Sequence, residues 1–189
     1  MTGKSHIIMN TMSAVTVFDT WFLCSKAASS PEWLKTVSVK ASDFVLDNKT
    51  MPFWLFLSVC IVFYMLGGLL PDVDVETSIL GRFIYVPVGH RTWFHAVYIP
   101  IVCFVTGIIW FRPLIWLGFG YMVHLFWDSF SVERIRYFYP AKARFGIGIY
   151  HTHQMSEYIF LSINCFAILI YTVFVLQVVY QFMSVSLTI

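Results

Sequence analysis

The chain has 189 residues, of which 59% are hydrophobic, 19% aromatic and only 12% charged, with a net charge of +2. Its mean hydropathy is +0.75. Twelve basic and ten acidic residues cannot cover a soluble surface of this size, which excludes a disordered chain, a basic nucleic-acid-binding module and an ordinary cytosolic enzyme.

What remains is an all-α polytopic membrane protein, a helical bundle with about five spans that forms one integral membrane domain over residues 1–189. A span needs roughly 17–25 apolar residues. The first candidate runs from His6 to Cys24 and is the weakest, because Asn10 and Asp19 interrupt it. With His6 added, these polar residues also make it a poor signal-peptide core, so it reads as a retained span. Residues 25–50 are polar and mixed in charge, and read as a loop or surface helix. The second candidate, Pro52 to Leu70, is strongly apolar. The third and fourth, Thr92 to Phe111 and Pro113 to Trp127, are separated only by Arg112, which predicts a tight helical hairpin. The fifth, Tyr158 to Met183, is long enough to cross with tilt. Cys24, Cys60, Cys103 and Cys165 form no CxxC pair and read as small apolar residues. Trp54, Trp93, Trp116 and Trp127 read as interface anchors.

Five spans bring the N-terminus and the connections 71–91 and 129–156 to one face. All six histidines, His6, His90, His95, His124, His151 and His153, then fall at that face or within two turns of it. Asp72, Asp74, Asp128 and Glu157 join them. Ionisable residues in spans are costly and are usually retained for function. His124 and Asp128 are four apart, so on a helix they share a face. His153 and Glu157 repeat that spacing. In the sequence LLPDVD, an extended turn after Pro71 aims Asp72 and Asp74 together. Imidazoles with carboxylates suit divalent metals, zinc first, and the number of candidates exceeds a single four-coordinate site. A centre of two or three ions follows, as in many phosphoester hydrolases. Arg91 is suited to hold a phosphoryl oxygen, the alternative being a structural pairing with Asp72 or Asp74. Asp74 is the expected proton acceptor. His151 reads as a solvated loop residue, and Arg134, Arg136, Lys142 and Arg144 as facing anionic headgroups.

These residues form a series: Gly3-x-x-His6, LLPDVD with SILGR over 69–82, GHRTWFH over 89–95, GYMVHLFWD over 120–128, and Glu157. The series resembles the YdjM-type membrane-bound metal-dependent hydrolases of bacteria, a family with distant similarity to zinc-dependent phospholipase C and related nucleases. The resemblance covers most of the chain in order. It implies that His6, Asp72, Asp74, His90, His95, His124, Asp128 and Glu157 sit in the metal site. His153 is an additional candidate outside the family pattern. The chain departs from that pattern at Val75, Thr92, Phe94 and Ala96.

Two functions follow as expectations. One is an inner-membrane metal-dependent hydrolase that cleaves a phosphoester in a lipid or lipid-linked substrate. The other is a non-catalytic membrane protein with a structural metal site, or a metal transporter. Placement of the ligands at one face, not at the midplane, argues against transport.

Orientation gives the first testable expectation. Lys4, Arg82, Arg91, Arg134, Arg136, Lys142 and Arg144 lie on the site face, against Lys26, Lys35, Lys40, Lys49 and Arg112 on the other. The positive-inside rule puts the site face in the cytoplasm. A reporter fused after Ile189 is therefore expected to read as non-cytoplasmic. A cytoplasmic reading would mean an even number of spans or a reversed protein.

Overall fold

A computed structural model describes residues 3–26, 32, 36 and 51–186. Five α-helices are found among them: α1 (Gly3–Lys26), α2 (Phe53–Leu69), α3 (Tyr98–Ile109), α4 (Pro113–Asp128) and α5 (Met155–Ser186). Two short 3-10 turns, Leu70–Asp74 and Trp93–His95, lie between α2 and α3. No strand forms among the described residues. The loop or surface helix expected over 25–50, and the side chain of Cys24, lie outside what is described, apart from isolated positions. Cys60 is buried, and Cys103 and Cys165 are half-buried.

Helix ends follow local chemistry. Pro52 is extended and ends the preceding chain, and its carbonyl accepts the first helical bond of α2, from Phe56 N at 3.0 Å. Pro71 ends α2, because it lacks an N–H and its ring would meet the carbonyl four residues back. The chain tightens there into the Leu70–Asp74 turn. This corrects the expectation of an extended turn: Asp72 and Asp74 lie on a 3-10 turn that continues the α2 axis, and its geometry separates their directions.

The third apolar segment is helical over a shorter stretch than expected. Trp93–His95 forms its own turn, and Ala96 is extended. Val97 N then bonds to the Tyr137 carbonyl at 2.9 Å, and α3 begins only at Tyr98. Pro100 is tolerated because it lies in the first turn, where its missing N–H removes no helical bond. The hairpin between α3 and α4 turns over Trp110 to Arg112, with Pro113 as the first residue of α4.

The described chain divides into two compact units, Met1–Asn10 with Asn48–Leu161, and Thr11–Asp47 with Ser162–Ile189. In the first, α4 packs against both α2 and α3. The α2–α4 approach is close enough that a Cβ on Gly67 would strike the Leu117 carbonyl and one on Gly120 the Tyr64 carbonyl. Small residues at a helix crossing permit this backbone proximity. Met9, Trp127 and Tyr150 form an apolar cluster at the end of α4. Trp127 is therefore a core residue and not an interface anchor, whereas Trp54 and Trp93 are exposed. In the second unit, Thr172 Oγ1 donates to Asp19 Oδ2 at 2.9 Å, and the Thr20 hydroxyl bonds the Tyr171 phenol at 2.8 Å. The residue that most weakened the first apolar segment thus has a hydrogen-bond donor within the same unit.

Among the described residues, two helical stretches are long and apolar enough to cross a membrane, the 21 residues Trp54–Asp74 and the 24 residues Met155–Val178. At 1.5 Å per residue they rise about 31 and 36 Å, against a hydrocarbon core of about 30 Å. Ile163, Phe166, Leu169, Ile170, Phe174 and Leu176 on α5 are exposed, an arrangement suited to lipid and unsuited to water.

The α2–α4 crossing generates a direct test. Gly120→Ala is expected to overpack the crossing at a cost of about 1–3 kcal/mol, lowering the thermal unfolding midpoint in detergent. Gly89→Ala, whose added methyl would meet only Thr92 side-chain atoms at 3.6 Å or beyond, should leave it unchanged. Equal midpoints for the two variants would exclude the tight crossing.

Candidate metal centre

All of the centre's side chains belong to the first unit. On α4, the 3.6-residue period puts His124 and Asp128 on one buried face, with exposures of 0% and 1%. His124 Nδ1 bonds to the Gly68 carbonyl at 2.7 Å. A carbonyl only accepts, so Nδ1 carries the proton and Nε2 presents its lone pair. The neighbouring Tyr121 hydroxyl donates to the Phe94 carbonyl, tying α4 to the turn that carries His95.

Three other segments converge on this face. His6 of α1 stacks on His124, with ring centroids 3.7 Å apart and planes 13° apart, and its Nε2 lies 3.1 Å from Asp128 Oδ1. His95 Nε2 lies 3.4 Å from Asp128 Oδ2 and 3.8 Å from Asp72 Oδ1. Asp72 Oδ1 lies 3.6 Å from His124 Nε2. Asp74 points elsewhere, with its Oδ1 3.0 Å from His90 Nδ1. His90 in turn packs edge-on against His95. The result is three linked groups, His6–His124–Asp128, Asp72–His95–His124 and Asp74–His90–His95, each with its ligand atoms within 4.8 Å of one another. Only His90 among these side chains is substantially exposed, at 41%.

Two sequence candidates are held differently. Glu157 is fully buried in the first turn of α5, where its Oε2 accepts the backbone N–H of His153 at 2.8 Å. The HxxxE spacing is thus not a helical face, because His153 precedes α5 in a left-handed conformation with φ 63° and an exposed side chain. An acid at the third helical position that reaches back to a preceding N–H is capping geometry. His151 is exposed, and its N–H donates to Ser156 Oγ at 3.0 Å.

Arg91 is buried and left-handed, with φ 58°. Its Nη1 donates to Ser131 Oγ at 2.5 Å, and its Nη2 lies 3.1 Å from Glu133 and 3.6 Å from Asp128. The structural pairing expected with Asp72 or Asp74 is replaced by one with Asp128 and Glu133, because the chain after α4 folds back over the guanidinium. Sequence reading missed Ser131, Glu133 and the Gly68 carbonyl. The first two follow Asp128 closely but carry no periodic signal, and the third is backbone.

Both ring nitrogens of His95, Nε2 of His124 and Oδ2 of Asp74 are buried without a hydrogen-bond partner among the described residues. Each such atom costs about 1–3 kcal/mol. A divalent cation satisfies Nε2 of His124, Oδ2 of Asp74 and the one His95 nitrogen that bears a lone pair, since imidazole lone pairs and carboxylate oxygens are its ordinary ligands; the other His95 nitrogen carries the proton.

The described helices, with their buried His/Asp cluster, define the class as an all-helical protein with a polar centre. The YdjM inner membrane protein family matches residues 1–187, and the chain belongs to that family. It is thus an inner membrane protein. No curated protein and no solved structure matched it.

The Arg91 contacts predict a ranking of stabilities. Arg91→Ala leaves Asp128 buried beside no guanidinium and should cost about 3–5 kcal/mol. Glu133→Gln, at a side chain 50% exposed, should cost at most about 1 kcal/mol. Thermal unfolding of the two purified variants checks the order, and a reversal would remove Arg91 from its place between α4 and the following chain.

Proposed function

We propose that the chain is a multi-pass, metal-dependent hydrolase of the inner membrane that cleaves a phosphoester in a lipid or lipid-linked substrate. The observation that carries this reading is the set of buried, unpartnered imidazole and carboxylate atoms at the end of the apolar helices.

The hydrogen bonds constrain how ions would be held. His124 has only Nε2 to offer, so His6–His124–Asp128 and Asp72–His95–His124 compete for one atom and describe one inner position. Asp74, His90 and His95 describe an outer one. Two divalent ions, zinc by ligand type, fit this set. Bound ions of this kind would supply charge to polarise a phosphoryl oxygen and to acidify water. The chain's own residues do the rest. Asp74, itself buried but beside the exposed His90, takes a proton through Oδ2. Arg91 holds Asp128 in register and directs positive charge at the centre. Glu157 fixes the turn before α5 by accepting the His153 N–H.

Full burial of the inner group is also what a structural ion would require, so stoichiometry and turnover must be measured together. Metal-replete, detergent-purified protein is expected to carry about two zinc ions per chain. It should hydrolyse one member of a phosphoester and phospholipid panel, and lose that activity with a chelator. Asp128→Ala should lower metal content, while Asp74→Asn should cut turnover about 100-fold or more and retain the inner ion. Arg91→Lys should lower melting temperature and metal content together with turnover if Arg91 acts by holding Asp128, whereas lost turnover with both unchanged would put the guanidinium on substrate. Folded, metal-free protein under these conditions would overturn the site. Metal-loaded protein without activity would leave the structural reading.

A further inference from the structure

Residues 129–150 hold four basic side chains that the metal centre does not use. The segment is ordered by backbone bonds: Ile135 and Phe145 exchange a reciprocal pair at 2.8 Å each, Val132 N bonds to Tyr150 O at 2.9 Å, and Ile147 N to Ser129 O at 2.7 Å. Ile135 and Tyr150 are fully buried and anchor it, and the Tyr150 hydroxyl donates to the Trp127 carbonyl at 2.9 Å. Burial raises the pKa of that phenol, keeping it a donor. The antiparallel Ile135–Phe145 bridge sets Arg136 and Arg144 at facing positions on its turn side. Like charges opposed across such a bridge repel. Among the described residues, no carboxylate pairs with Arg134, Arg136, Lys142 or Arg144. The one acid nearby in sequence, Glu133, is engaged by Arg91 at 3.1 Å.

Around this charge the same ribbon exposes Phe138, Phe145, Ile147 and Ile149. The ribbon leaves α4 at Ser129 and enters α5 at Met155, the first residue of a stretch long and apolar enough to span. Position beside a span, aliphatic and aromatic side chains facing outward, and uncompensated bases together fit one occupant, the surface of an anionic leaflet. We infer that residues 129–150 bind the headgroup of an anionic phospholipid, with its phosphate between Arg136 and Arg144 and its acyl chains along Phe145, Ile147 and Ile149. This inference does not depend on the metal reading.

Native mass spectrometry of the full chain in detergent, titrated separately with phosphatidylglycerol and phosphatidylcholine, tests it. Each base near the surface contributes about fivefold in affinity, so wild-type protein should favour phosphatidylglycerol by about tenfold or more. Arg136→Gln with Arg144→Gln should abolish the preference, while Arg136→Lys with Arg144→Lys should retain most of it. Lys142→Gln with Arg144→Gln alters exposed positions only, and should reduce the preference even if the first pair fails to fold. Equal binding of both lipids to wild type, or an undiminished preference in the glutamine variants, would overturn the inference. Displacement of phosphatidylglycerol by millimolar inorganic phosphate would reassign the site to free phosphate and overturn the lipid assignment.

Discussion

The 2.7 Å hydrogen bond from His124 Nδ1 to the Gly68 carbonyl joins the fold to its centre. It forms only because α2 and α4 approach to backbone contact, and that approach rests on glycine at 67 and 120. Once Nδ1 is committed, the ring has one orientation and one free nitrogen, and His6 stacks on it with its own Nε2 against Asp128. Every later feature of the centre is referred to that ring. Asp72 meets its Nε2, His95 packs edge-on to it, and Asp128 lies one turn further along the same helix face.

Much of this architecture was legible in the residues. The apolar run after Pro52 matched α2 to within a residue at each end, and Arg112-Pro113 marked the α3–α4 turn. The four-residue spacing of His124 and Asp128 gave their shared face. Where the reading failed, local backbone chemistry outweighed pattern. Proline at 71 gave a 3-10 turn that divides Asp72 from Asp74 between two groups. The Trp93–His95 turn took six residues from an apolar run that hydropathy alone reads as helix. His153 and Glu157 have helical spacing but stand across a helix start, where spacing has no facial meaning. The bonds of Arg91 to Ser131 and Glu133 depend on a chain reversal that leaves no periodic trace.

Apolar surface is divided unevenly between the helices. α2 combines an outward apolar face with an inner face of Phe56, Cys60 and Tyr64, and the Tyr64 hydroxyl donates to the Asn10 carbonyl at 2.8 Å. α5 over Met155–Val178 is mostly exposed or half-buried, with Glu157 and Val175 as its buried residues. Hydrocarbon is the environment that tolerates such a helix, and the inner-membrane family assignment supplies it. The His/Asp cluster is built from helix ends and their connecting turns, while the polar pairs Asp19–Thr172 and Thr20–Tyr171 lie in helix interiors.

The α3–α4 hairpin differs in scale from the two long apolar stretches. Its arms have 12 and 16 residues, rising about 18 and 24 Å. Neither matches a hydrocarbon slab of about 30 Å. At the tip stand Trp110, almost fully solvent-accessible, and Arg112, which is half-buried. Among the described residues, only Trp54–Asp74 and Met155–Val178 combine the length and apolarity of a crossing, and each arm of the hairpin is shorter than the stretch against which α4 packs.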